Sequence, residues 1–238
     1  MALLAGSTQL KNVNLDVVLL TRTNRVVNRD PDKIVLTLGT AIAEGGTTAS
    51  ITSSVDATDI KAGNGLSFVD ANGYRKHLLV LEDATVGTVA GNVSVSPALD
   101  AIEANSTAEY IAGLVPVYGM QNFALSSQDT DEDITNTLSG FGTEVELVRS
   151  GKSLDVSVIQ VPNDPGLYNV IKKVSLKGAF FGREIYAVFT NPDGEVMRGA
   201  AKVRNFQQPG TQNAVKRGSF QLTFQGDSFE YLEPYVFI

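Results

Sequence analysis

The chain of 238 residues is 43% hydrophobic and 19% charged, which excludes a highly charged disordered segment and suits one ordinary domain or two small ones. It has no cysteine, no tryptophan and a single histidine, His77, so disulfides, thiolate metal sites and cysteine nucleophiles are excluded and an enzyme lacks its usual groups. The net charge of −7 argues against a surface that grips phosphates, and −6 of it falls in residues 31–112, a first sign of a separate module.

No basic leader precedes an apolar run at the start, and no stretch approaches the roughly 18 apolar residues of a membrane helix. A soluble chain that is not secreted, suited to a reducing cytosol and without membrane insertion, is expected. Period-two alternation predicts a strand over 12–21, with Val13, Leu15, Val17 and Leu19 on one parity. From Ile34 to Ile111, short apolar runs separated by glycine turns read as a small all-β unit. Its best hairpin spans 67–81, with Asn72-Gly73 supplying positive φ angles, and Pro97 opens a short helix near 97–104.

After Gly113 the texture changes. A strand over 115–125, interrupted at Gly119, leads into a polar, acidic loop over 126–137 and a glycine-bearing loop at 139–142. Strands at 144–148 and 154–161 are joined by a hairpin at Arg149-Ser-Gly-Lys152. Asp164 caps a helix whose first position is Pro165 and whose stripe is Leu167, Val170, Ile171 and Val174, with Gly178 as the stop. Residues 185–189 are apolar on both parities, Asn191–Gly194 is a turn, and long strands follow over 196–206 and 215–225. The predicted fold class is mainly β.

The search for chemistry excludes more than it finds. Gly151-Lys152-Ser153 imitates the end of a phosphate loop, but Glu146 stands where the first glycine belongs. Asp129, Asp131 and Asp133 have the alternation of a calcium loop, yet Ile134 and Gly140 stand where glycine and a bidentate carboxylate are needed, so a solvated acidic loop is expected. His77 has no serine or carboxylate nominated to pair with it and reads as a surface or edge-strand residue. Arg198, Lys202 and Arg204 share parity and read as solvated or salt-bridged. Neither a catalytic residue, a metal ligand nor a cofactor is predicted. The apolar parities at 185–189, with Tyr186 and Val188 on one side, point to surfaces that meet other subunits, whose cores are poor in charge.

The order of elements resembles the tail tube proteins of long-tailed bacteriophages. The match runs through Asp133-Ile134-Thr135, Leu154–Val158, Asn163-Asp-Pro-Gly166, Ile185–Phe189, Pro192-Asp-Gly194 and Gly218–Gly226, and covers roughly 113–238 plus the first strand. The resemblance implies a β-sandwich that completes a barrel between subunits, with one flanking helix, in homo-hexameric rings stacked into a tube for genome ejection. It implies a virion tail protein assembled in the host cytoplasm, with tape measure, tail terminator and distal tail proteins as partners and DNA as non-specific cargo. Type VI secretion tube proteins share that architecture. Residues 1–30 and 113–238 would form the tube domain, and 31–112 an inserted β module on its exterior. Ser219, Gln221, Thr223 and Gln225 would line the lumen or an ordinary solvent face. Arg22, Arg25 and Arg29, with Asp129, Asp131 and Asp133, would meet between rings, or lie in exposed flexible loops. Another virion part (decoration, stopper or distal tail protein) and a carbohydrate-binding β-sandwich are the alternatives.

Overall fold

The computed structural model describes residues 13–23, 26–133, 145–176, 178–191, 195–208 and 216–234, and for 22, 23, 26, 128–133, 145–150 and 227 it describes the backbone. The chain is mainly β, with strands β1 (Asn14–Leu19), β2 (Arg22–Thr23), β3 (Val26–Val27), β4 (Lys33–Leu38), β5 (Thr48–Ser53), β6 (Thr58–Ile60), β7 (Gly65–Val69), β8 (Arg75–Leu79), β9 (Ala84–Val86), β10 (Gly91–Ser94), β11 (Thr107–Ile111) and β12 (Val115–Pro116). Then come β13 (Met120–Asp133), β14 (Val145–Ile159), a π turn (Leu167–Ile171) running into α1 (Lys172–Leu176), β15 (Glu184–Thr190), β16 (Val196–Gln207), β17 (Arg217–Phe224) and β18 (Glu230–Leu232).

An eight-stranded antiparallel sheet has the order β12-β1-β15-β16-β17-β14-β13, with β18 alongside β16. This sheet folds over on itself. In a flat sheet β13 and β15, four strand spacings apart, would be separated by about 19 Å, yet the Phe123 and Phe189 rings lie 4.6 Å apart. The corner is β16, which pairs with β15 over Val196–Lys202 and with β17 from Ala201 onward, so that only two residues touch both neighbours. Gly199 sits at this corner, where an added Cβ would stand 2.5 Å from the Ser228 carbonyl oxygen of the returning chain.

Between the two halves lies one core, in which Leu15 and Val17, Phe189, Leu154 and Val156, and Phe220 and Leu222 meet the helix residues Leu167, Ile171 and Val174. Asp164 caps that helix as its sequence requires, its Oδ1 accepting the Leu167 N–H at 2.8 Å.

A second, six-stranded sheet, β10-β5-β4-β11-β7-β8, is built from residues within 33–111. The strands that come first and last along the chain, β4 and β11, pair with each other, Lys33 opposite Ile111, so the chain enters and leaves side by side. Its core of Leu36, Leu38, Ile51, Leu66, Phe68 and Leu78 continues onto the large sheet through Tyr186 and Ala200, with Val18 and Val188 against it.

Several local expectations are corrected. Residues 97–104 form no helix, because Ala98 and Ile102 bond to the backbone of Gly46 and Ile42 and bury their side chains in the insert. No hairpin interrupts 149–152, since β13 offers β14 a partner along its whole length, with Gly151 opposite Gln128. The acidic stretch through Asp133 is strand, not loop, up to the limit of the described residues. At 70–74 only Gly73 has positive φ, and Asp70 Oδ1 accepts the N–H groups of Asn72 and Tyr74, which closes a wider turn. The motif residues Ile134 and Thr135, the loop at 139–142, the turn residues 192–194 and Val215 lie outside the described residues.

Candidate functional site

Cross-strand partners share a face, so the register assigns every residue of the large sheet to a side. On the side away from the helix run Asn14, Asp16 and Val18 of β1, Glu184, Tyr186 and Val188 of β15, then Arg198, Ala200 and Lys202 of β16. The same side continues through Gln221 and Thr223, then Ser153, Asp155 and Ser157, to Asn122, Ala124 and Ser126. The fold at β16 divides this one face into two surfaces.

The first surface is covered by the insert. Tyr186 is 2% exposed and Val188 packs beside it, so the cover that residues 185–189 demand comes from the same chain, not from a neighbouring subunit. Beneath the insert lies a polar seam. Asp16 accepts hydrogen bonds from Asn14 Nδ2 at 2.7 Å, Asn64 Nδ2 at 2.9 Å and the Gly65 N–H at 2.9 Å. Burial pushes its carboxyl up to about 7 against the pull of those donors. Gly65 is required here, because a Cβ would stand 2.6 Å from His77 Cε1 and 2.8 Å from Asn14 Nδ2. His77 does lie on the edge strand β8, but its side chain is buried and burial lowers it to about 4, so it is a neutral core residue.

Ion pairs stitch the rim of the seam. Arg198, itself buried, meets Glu109 of the insert and, at 2.6 Å, Glu230 of β18, which Lys33 also reaches at 3.0 Å. Arg29 binds both oxygens of Glu184, at 2.7 and 2.9 Å, and this guanidinium holds the Glu184 carboxyl below the usual range; Lys202 adds a contact at 3.7 Å. The salt-bridged reading therefore holds for Arg198 and Lys202, while Arg204 is exposed. Arg22 is in β2, with its backbone alone described, and Arg25 lies outside the described residues.

The second surface is open. On β17, Ser219, Gln221 and Thr223 are half-buried and point away from Phe220, Leu222 and Phe224, which are in the core. Gln221 Nε2 donates to Asp155 Oδ1 at 3.0 Å, and Ser126 and Ser153 hydroxyls meet at 2.8 Å. Gln225 lies just past the strand end and turns its Nε2 back to the Thr223 carbonyl at 3.1 Å. This surface is a sheet of hydroxyls and amides with one carboxylate, Asp155, at its centre and the exposed Arg204 and Arg217 at its margins.

From its end extends an arm. β14 pairs with β17 from Ser153 onward, but seven further pairs with β13, Ser127–Lys152 to Asp133–Val145, continue past that point. Among the described residues these have no third strand. The arm is about 20 Å long at the usual rise per residue, and carries Asp129, Asp131 and Asp133. Sequence reasoning missed the arm as a strand pair and missed the seam altogether.

These features define a protein of surfaces. A depression among the described residues, lined by Leu20, Val27 and Glu184, measures about 200 Å³, below the roughly 300–1,000 Å³ of ligand pockets. No family model and no curated protein matches the chain. Among solved structures it is similar to a chain in the tail of an empty GTA particle with C6 symmetry, at 14% identity and a TM-score of 0.39, covering 50% of this chain and 87% of that one. It is similar also to a chain in the virion of a native gene transfer agent (GTA) particle, at 15% identity and a TM-score of 0.39, covering 50% of this chain and 89% of that one. Half of this chain lies outside each likeness, so its function has to be read from its own surfaces.

Proposed function

We propose that the chain is a structural tail tube protein of a long-tailed phage, which assembles into hexameric rings stacked as a conduit for the genome. One observation carries this reading: the folded sheet turns a single face into two opposed outer surfaces, one covered by the insert and one bare and polar, with Asp155 at its centre and Arg204 and Arg217 at its margins. In a ring, the bare surface on β17, β14 and β13 faces the bore and residues 31–112 ride outside, as an inserted module. Residues 1–30 belong with 113–238 in the tube domain.

The edges support the same arrangement. β13 ends the sheet order with a run of 14 residues, and such an edge presents unpaired N–H and C=O groups that a neighbouring copy can satisfy. An isolated two-stranded ribbon is marginal in water, so the arm needs company, which stacking of rings provides. Lys and Arg are what hold DNA; the centre of this bore, Ser219, Gln221, Thr223 and Asp155, releases no counterions from duplex, and the exposed bases Arg204 and Arg217 stand at its margins. In this role the tube meets a tape measure protein in its bore and terminator and distal tail proteins at its ends.

Negative-stain microscopy of the concentrated protein tests the proposal. Rings or tubes about a hundred ångström across are expected, the size that six domains some tens of ångström wide enclose. A particle that stays single at every concentration and salt overturns it.

A further inference from the structure

The chain from Leu176 to Gly182 leaves the helix end as an apolar knob that neither core uses. Phe181 is 72% exposed and Leu176 62% exposed, beside Ala179 and the half-buried Phe180. Single exposed apolar residues are ordinary, but two large ones six positions or fewer apart on one projection form a patch. Its rim is basic. Arg183 lies 4.8 Å over the Phe180 ring and Lys173 5.9 Å from it, and residues 172–183 contain four bases and no acid. Elsewhere Arg29, Lys33, Lys61, Lys76, Arg198 and Lys202 each meet a carboxylate. Among the described residues Lys173 and Arg183 meet none; their charge is spent on an aromatic ring at the surface.

The arm has the opposite character. Its two strands, 127–133 and 145–152, contain five acids, Asp129, Asp131, Glu132, Asp133 and Glu146, against two bases, Arg149 and Lys152. Among the described residues its seven strand pairs run past β17, which pairs with β14 from Ser153 onward. We infer that the acidic arm of one copy docks on the basic, aromatic knob of a second copy, with Phe181 and Leu176 as the apolar centre and the charges as the rim. An apolar centre inside a charged rim is the usual anatomy of a protein interface. Knob and arm are different surfaces, so the contact is heterologous and repeats from copy to copy, closing into a ring or running on as a stack. This inference rests on the assembly reading and names the contact that drives it.

Four full-length proteins test it by sedimentation and negative stain: the wild type, Lys173→Glu/Arg183→Glu, Asp131→Lys/Glu132→Lys, and the protein with all four changes. Close charge pairs couple strongly enough that each reversed pair raises the concentration needed for assembly at least about tenfold. The fourfold variant restores it, and the two reversed proteins, each inert alone, assemble when mixed, because positions 173 and 183 of each copy then meet positions 131 and 132 of opposite charge. Unchanged circular dichroism and thermal melting show that the reversed proteins fold. If the wild type assembles and the reversed proteins assemble equally well, or the fourfold variant fails to recover, the contact is wrong while the tube stands. If the wild type never assembles, both fall together.

Discussion

Asp16 brings a carboxyl into the seam under the insert, where three donors and no cation surround it. Burial holds it, and the capping Asp164, at about 7, whereas burial holds His77 at about 4. Between the ordinary carboxyl value and about 7, the unfolded chain has released these two protons and the folded chain keeps them. The folded state then binds more protons, and stability falls as pH rises through that interval. His77 acts in the opposite sense, because the unfolded imidazole gains a proton below its ordinary value near 6.5 that the folded one refuses down to about 4. Two carboxyls outweigh one imidazole, so urea melts between pH 5 and 7 should show a net decline in stability with pH. The ion-paired Glu184 carboxyl, held low by Arg29, adds stability that is lost only as pH falls through its lowered value, outside this window. Asp16→Asn removes one of the two titrations, and the unpartnered Asn14 Oδ1 offers its new amide an acceptor. The pH slope of the variant should change by about one proton, about 1.4 kcal/mol per pH unit. An unchanged slope would mean that Asp16 is ionised in the folded protein at pH 5.

The seam between insert and sheet is asymmetric at the level of elements, because β16 contributes a buried Arg198 while β11 and β18 contribute the better exposed Glu109 and Glu230. Arg198→Ala removes the buried charge and leaves two carboxylates that water can reach, which should cost about 1–2 kcal/mol. Glu109→Ala with Glu230→Ala strands a buried guanidinium near Arg75 and should cost about 3 kcal/mol or more; denaturant midpoints of the two proteins rank the effects. That seam was not legible in the sequence. Asp16, Asn64 and His77 are far apart along the chain, and alternation tells which parity is polar without telling whether solvent or another layer lies against it. Residues 185–189 did announce that both faces need cover, but periodicity does not name the cover, and the insert supplies it to Tyr186 and Val188. What was legible was local: the Asp164 cap, the stripe from Leu167 to Val174, and the alternation of β17 that separates Phe220 from Gln221. The arm was illegible for the reverse reason, since a ribbon with no core beneath it carries no alternation, and its acids read as a loop.

For the whole molecule, the fold at β16 sets the insert and the polar surface on opposite sides, and the proposed ring turns the polar surface inward. Ala124 and Ser157 are exposed on the polar surface, while Val89, 82% exposed, belongs to the insert. Ala124→Lys with Ser157→Lys adds two charges per copy to the proposed bore, and Val89→Lys adds charge to the proposed exterior. Particles assembled with a short DNA duplex should hold little as wild type, because the amides, hydroxyls and Asp155 at the centre of the surface release no counterions from phosphate and Arg204 and Arg217 stand at its margins. The inner variant should retain duplex at low salt and lose it as salt rises, log affinity falling by about 0.9 per neutralised phosphate for each unit of log salt. Retention alone would not separate inside from outside, so a nuclease decides. Duplex held by lysines in a closed bore is shielded from digestion, and duplex held by Val89→Lys on the outside is not. Equal digestion of both would turn the polar surface outward and leave the insert as the wall of whatever these copies build. Protection confined to the inner variant would put the polar surface in the bore and the insert outside it.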